Sequence, residues 1–126
     1  MNNITIPQFF PGENAISIVN HSPEIQPGTP VNVIRPWFGN LCAVLLPDGM
    51  IHRWFAWFEL RPENYILTPG SFATVINTAG HGNPPPVSVG TTVQIVKCIP
   101  TFFYDSILDN GGYHRWLAEF ELANPI

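Results

Sequence analysis

The chain is short of charge. Only 11% of its 126 residues are Asp, Glu, Lys or Arg, about half the share of an ordinary globular domain. Lys97 is the single lysine, and the five basic residues are scattered. No basic stripe exists to follow a phosphate backbone, so nucleic acid is not an expected partner. The net charge of −4 is also too mild for DNA mimicry. Long apolar runs are missing too. The longest, Leu41 to Leu46, is far too short to span a bilayer as a helix, so no membrane role is expected. The opening MNNITIPQFF lacks a basic region followed by an apolar core, the pattern of a secretory leader. A cytoplasmic location is the expectation.

Cysteine is scarce. Cys42 and Cys98 are the only two. Buried thiols in a reducing cytosol are the simpler reading, although sequence alone leaves a disulfide open. None of the four histidines, His21, His52, His81 and His114, has a close-spaced partner. Zinc sites usually show C-x2-C or H-x3-H spacing, so neither a metal nor another cofactor is expected. A phosphate loop, a dinucleotide-binding glycine pattern and a nucleophile elbow are also absent.

What the chain does have is a repeat. HRWFAWFEL at 52–60 returns as HRWLAEFEL at 114–122. Shifted by 62, the match runs back without a gap through Gly49 on Gly111, Val33 on Ile95 and Gly28 on Gly90. Further upstream the shift becomes 58, placing PGENAISI (11–18) on PGSFATVI (69–76). The extra residues of the second copy fall in NTAGHGNPPPVSVG. Such self-similarity marks a tandem duplication. Residues 1–62 form the first unit, with an N-terminal extension, and 63–126 the second.

Each unit reads as short strands separated by turns, in keeping with 14 prolines and 10 glycines. TPVNVI and TTVQIV alternate, with Val31 and Val33 on one face and Asn32 on the other. RPWFG and KCIPT read as breaks. NLCAVLL and FFYDSIL read as strands that turn at PDG and DNGG into MIHRWF and GYHRWL, since Gly and Asn tolerate positive φ. A tight turn at AxFEL leads into a last strand. NPPPV (83–87) reads as a stiff spacer in a long loop.

Five short strands per copy, with GTxVxI after a long first loop and W-x-A-x-F-E-L at the close, resemble an SH3-like small β-barrel. Bacterial SH3-like modules often close in a similar way. The resemblance implies an all-β protein of two tandem SH3-like five-stranded barrels, related by a pseudo-twofold and packed side by side. The acidic first loop and paired tryptophans of peptide-binding SH3 domains are missing, so a proline-peptide role is not implied.

Small barrels need large aromatic fillers. Trp54 and Trp116 are the candidates, because alternation sets them on one face with His52 and His114. Phe58 and Phe120 are expected to help close each barrel. Arg53 with Glu59, and Arg115 with Glu121, are expected as a structural ion pair inside each barrel. The duplicated His-Arg-Glu set is read as packing, not catalysis.

Positions where the copies differ point to a contact surface: Trp37, Phe38, Trp57, Phe102 and Tyr104. Exposed aromatics on a charge-poor chain suggest protein–protein contact. The expected function is a non-enzymatic interaction or structural module, with a protein partner or self-association into a homo-oligomer. Carbohydrate or cell-wall binding on Trp and Tyr platforms is the alternative. A small enzyme using His-Arg-Glu is the third.

Overall fold

Residues 6–21, 25–82 and 84–125 are described in the computed structural model of the chain. The opening MNNITIPQFF is therefore covered only from Ile6, and Asn83 of NPPPV lies outside the described residues. The protein is all-β. Its strands are β1 (Asn14–Ser17), β2 (Pro30–Leu45), β3 (Ile51–Ala56), β4 (Leu60–Pro62), β5 (Phe72–Val75), β6 (Thr92–Leu108), β7 (Tyr113–Ala118) and β8 (Leu122–Ala123). One 3-10 turn precedes β4 (Trp57–Glu59) and another precedes β8 (Glu119–Glu121). No helix among the described residues is long and apolar enough to cross a membrane.

Among the described residues each copy contributes four strands, not the expected five. RPWFG and KCIPT are not breaks. They are the middles of two strands of 16 and 17 residues, β2 and β6, which run antiparallel along nearly their whole length. At its ends β2 also pairs with β1 and β3, but around Pro36 its ladder partner is β6 alone. A proline is tolerated where one edge of a strand is unpaired. Pro100 sits in the equivalent part of β6, opposite Asn40.

The sheet runs in the order β4-β5-β6-β2-β1-β8, with β3 added to β2 and β7 to β6. Among the described residues this ladder stays open, so the closed barrels of the expectation are not what the strand pairing gives. All pairings are antiparallel. Gly39 pairs with Thr101, its own counterpart under the shift of 62, which places the pseudo-twofold axis between them. An added Cβ at Gly39 would lie 2.6 Å from Trp57 Nε1, so the close approach of that indole requires glycine.

The two copies exchange halves. One core joins Phe9, Ala15, Ile25, Val31 and Val33 of the first copy to Tyr104, Leu108, Leu117 and Leu122 of the second. The other joins Cys42, Val44, Leu46, Phe55 and Leu60 to Ala73, Val75, Val93 and Ile95. Residues 1–62 and 63–126 are thus the units of repetition, while each unit of packing draws on both. A third cluster lies on the axis and contains Leu41, Ala43, Trp54, Phe103 and Trp116. The β1–β8 and β4–β5 pairings seal the exchange at either end.

Cys42 and Cys98 are not free thiols: they face each other across β2 and β6 and form a disulfide. Their repeat counterparts, Tyr104 and Pro36, also face each other. Non-equivalent positions can therefore form a bond because the twofold pairs position 42 with 98. The bond joins residues 56 apart in sequence. Closing a loop of that length in the unfolded chain stabilises the fold by about 4 kcal/mol on the chain-entropy estimate. Reduction is expected to lower the urea midpoint accordingly without changing the native fold. Equilibrium unfolding with and without a phosphine reductant checks this, and an unchanged midpoint would remove the staple role.

A candidate ligand site: the histidine cleft on the twofold

Glu59 and Glu121 are the centres around which the site is built. Each ends a 3-10 turn and folds its carboxylate back to the start of that turn. The Ala56 N–H donates to Glu59 Oε1 at 2.9 Å, and the Ala118 N–H to Glu121 Oε1 at 2.8 Å. Donors from the opposite copy complete each shell. Trp116 Nε1 donates to Glu59 Oε1 at 2.6 Å, and Trp54 Nε1 to Glu121 Oε1 at 2.9 Å. The Glu59 side chain is 0% exposed. A carboxylate so buried is tolerable only with its lone pairs occupied and a cation close by.

The cation at Glu59 is Arg115, at 3.3 Å. The expected Arg–Glu pair within each repeat is therefore corrected here, since this pair crosses between copies. Half-exchange causes the switch by placing β7 over the first copy's 3-10 turn. The bulges explain how the tryptophans reach so far. Between Cys42/Ala43 and their partners Phe55/Arg53, residue Trp54 is extra. Trp116 sits in the corresponding bulge of β7. A bulge breaks alternation and re-aims a side chain. The peptide bonds preceding both tryptophans are cis.

Histidines complete each shell. His81 Nε2 lies 3.0 Å from both Glu59 oxygens, and His21 Nε2 lies 2.9 Å from Glu121 Oε2. A carboxylate only accepts, so these Nε2 atoms carry protons. His81 Nδ1 then faces His52 Nε2 at 3.4 Å, forming a His52–His81–Glu59 chain. On the other side of the axis the His21 and His114 rings meet edge to face at 5.7 Å. An added Cβ at Gly80 would lie 2.8 Å from Arg115 Cγ, and its φ is +78°. This glycine lets the His81 loop lie on β7, where the Arg115 N–H donates to the Gly80 carbonyl at 2.9 Å.

All four histidines thus line one cleft of about 660 Å³, together with Arg53, Arg115, Glu121, Met50, Ile51, Pro84 and Pro86. This is the volume of an ordinary small-molecule site. Sequence spacing missed it, because the rings come from widely separated positions. Only the exchange of halves unites them, and the sole hint was that two of them recur in the repeat. Among the described residues, no three His, Cys, Asp or Glu groups meet at the spacing of a metal site.

Burial pushes His52 down to about 4, helped by the nearby charges of His81 and His21. Burial likewise pushes His114 down to about 3, with His21, His81 and His52 adding to the effect. Both rings are neutral near pH 7.

The residues named from sequence fall in different places. Trp54 and Trp116 are buried on the axis. Phe58 is partly buried against that cluster, stacked on Trp37 at 5.1 Å. Its counterpart Phe120 is 54% exposed and so lies outside the core where sequence placed it. Tyr104 is 0% exposed, and its hydroxyl donates to Glu119 at 2.7 Å. It therefore offers no surface to a partner, because its strand half supplies the first core. Trp37 is half-buried, and its indole donates to Asp105 at 3.3 Å. Phe102 packs partly on that same core and meets Phe38 at 4.9 Å. Phe38 and Trp57 are exposed, at 59% and 50%. Arg53 is exposed at the cleft rim.

The fold has solved relatives. A crystal structure of ydhK, a DUF1541 family protein from Bacillus subtilis, matches with a TM-score of 0.71 and 19% identity, covering 96% of this chain and 87% of that one. A second crystal structure of ydhK gives 0.68 and 19%, covering 92% and 100%. The solution structure of the ydhK C-terminal domain gives 0.64 and 19%, covering 90% and 91%. At this identity the likeness is one of fold. No protein-family profile matches the chain, and no curated protein does.

Two measurements check the site. Glu59→Ala strands the Trp116 indole, the His81 ring and the Arg115 guanidinium, and is expected to cost about 3–5 kcal/mol. Urea unfolding followed by tryptophan fluorescence reads this; a loss below about 1 kcal/mol would show the carboxylate to be dispensable. The second check is pH. A histidine whose folded pKa lies below its unfolded 6.5 favours the fold only while neutral. Stability is therefore full above 6.5, falls as pH drops toward about 4, and is lost for this group below that. Thermal melts over this range are expected to show the decline, and His52→Gln to flatten it. A decline unchanged by His52→Gln would place its origin elsewhere.

Proposed function

We propose that the chain is a non-enzymatic binding module whose ligand occupies the histidine cleft. One observation carries this reading: four histidines remote in sequence line one cleft, and burial favours the neutral form of two of them, His52 and His114. Neutral imidazoles both donate and accept hydrogen bonds, which suits recognition of polar small molecules. Enzyme chemistry with the His-Arg-Glu set is less well supported. Both carboxylates are consumed by structural donors, and neither is positioned to act as a base on a bound substrate.

The finer architecture belongs to the same proposal. We read each packing unit as an open, SH3-like five-stranded arrangement with strands exchanged between repeats. The order β7-β6-β2-β1-β8, with a 3-10 turn before the last strand, supports this for one unit. The Cys42–Cys98 disulfide favours an oxidising compartment over the cytoplasm.

A second reading keeps protein contact and self-association. Phe38 and Trp57 are the exposed aromatics that favour it, and Trp57 borders a groove of about 550 Å³ with Tyr65 and Ile76. Amide chemical-shift mapping against a fragment library separates the two. Shifts are expected at Met50, Arg53, Gly82 and His114. Shifts confined to Phe38, Trp57 and Tyr65 would instead favour the aromatic face.

A further inference from the structure

We infer that the cleft selects a small oxyanion with two charged heads, a short dicarboxylate. The inference rests on the cleft being the ligand site, and adds the chemical class.

The cleft contains groups of both signs, but they are not equally available. Glu59 is sealed behind the lining, with the Ala56 N–H, the Trp116 indole, His81 and Arg115 all on its oxygens. Glu121 reaches the lining, yet it accepts from the Ala118 N–H and the Trp54 indole and meets His21, and its side chain is 5% exposed. The donor-only groups a ligand can touch are therefore the two guanidiniums, Arg53 and Arg115. The neutral imidazoles of His52 and His114, each with one donor and one acceptor nitrogen, stand beside them. Arg115 uses Nε on the Tyr113 hydroxyl at 2.7 Å and Nη1 on Glu59. That anchoring fixes the guanidinium plane before any ligand arrives, which lowers the entropic cost of binding.

Symmetry sets the number of heads. The axis at Gly39 and Thr101 relates Arg53 to Arg115 and His52 to His114. One cation and one imidazole therefore stand on each side, so an anion with two heads meets both sets and a one-headed anion meets one. Ile51, Pro84 and Pro86 supply apolar walls suited to a short hydrocarbon spacer.

A proton linkage follows from the neighbours of the two rings. His52 faces His81, His21 and Glu59, while His114 faces His21, His81 and His52. Arg53 and Arg115 stand beside them on β3 and β7. Burial, with the neighbouring histidines adding to it, keeps both rings neutral in the empty cleft, and a bound anion offsets these costs. Binding is then coupled to proton uptake and strengthens as pH falls.

Isothermal titration with malonate, inorganic phosphate and acetate, at low salt and at about pH 7.5 and about pH 5.5, tests this. Malonate is expected to bind, several-fold tighter at the lower pH, and about tenfold tighter than the one-headed phosphate or acetate. Arg53→Gln, at an exposed position, is expected to weaken binding about tenfold with an unchanged melting temperature. Absence of malonate binding at both pH values overturns the inference, as does malonate no tighter than phosphate and acetate, or affinity that falls with acidity. Cleft amide shifts with zinc or neutral fragments but none with the anions would leave the cleft reading standing and remove this one. No cleft shift with any probe would remove both.

Discussion

Two buried carboxylates hold the molecule in its exchanged form. Each Glu belongs to one copy through its 3-10 turn and to the other through a tryptophan indole. Neither half can satisfy its carboxylate alone, because the indole comes from across the axis. Separating the copies would leave two buried acceptors and two buried indole donors unpaired. Each such group costs on the order of 1–3 kcal/mol, and more when charged. Generic apolar burial could have been achieved within one repeat, since the core residues of the copies are interchangeable in kind. The reciprocal clasp therefore ties each copy to the other across the axis. The disulfide at Cys42 and Cys98 reinforces it covalently, close to the same axis.

The crossing also explains why two unusually long strands are needed. β2 leaves one core, passes the axis and enters the other, and β6 runs the opposite way. A strand that serves two cores cannot stop in the middle. Bulges at Ile34 and at Val96, equivalent positions of the repeat, shift its register as it moves between them. Each long strand thus turns two packing surfaces into one continuous element.

Much of the local structure was legible in the sequence. The alternation of Val31, Asn32 and Val33, the PDG and DNGG turns, the hairpins and the buried tryptophans all follow from short-range rules. The duplication was legible too. Partner choice was not. Two copies with the same pattern present the same local signals whether they pair within themselves or with each other, so periodicity cannot decide. RPWFG looked like a break because Pro and Gly usually punctuate, whereas the single-sided pairing with β6 tolerates them. Trp54 and His52 were assigned one face by alternation, but the bulge carries the indole to Glu121 while His52 turns to His81. The histidine cleft was invisible for the same reason as the exchange: its members are neighbours only once β3 and β7 meet across the axis.

The pattern of drift between the copies bears on where function lies. The cleft side retains His, Arg, Trp and Glu in both copies. Other cleft positions differ, Met50 against Gly112 and Ile51 against Tyr113, and so do positions away from it: Trp57 against Glu119, Trp37 against Ile99, Cys42 against Tyr104. Several of these have become structural specialisations. Cys42 took a covalent partner, Tyr104 entered a core and bonded Glu119, and Trp57 lies over Gly39. Packing alone does not require the exposed Arg53 to match the half-buried Arg115. The Arg115 ion pair to Glu59 gives a structural reason for one arginine, whereas Arg53 stands exposed at the rim. A ligand that touches both sides of the axis supplies a reason for the second. In that view the duplication produced the site as well as the fold, because a single copy contains only half of the cleft.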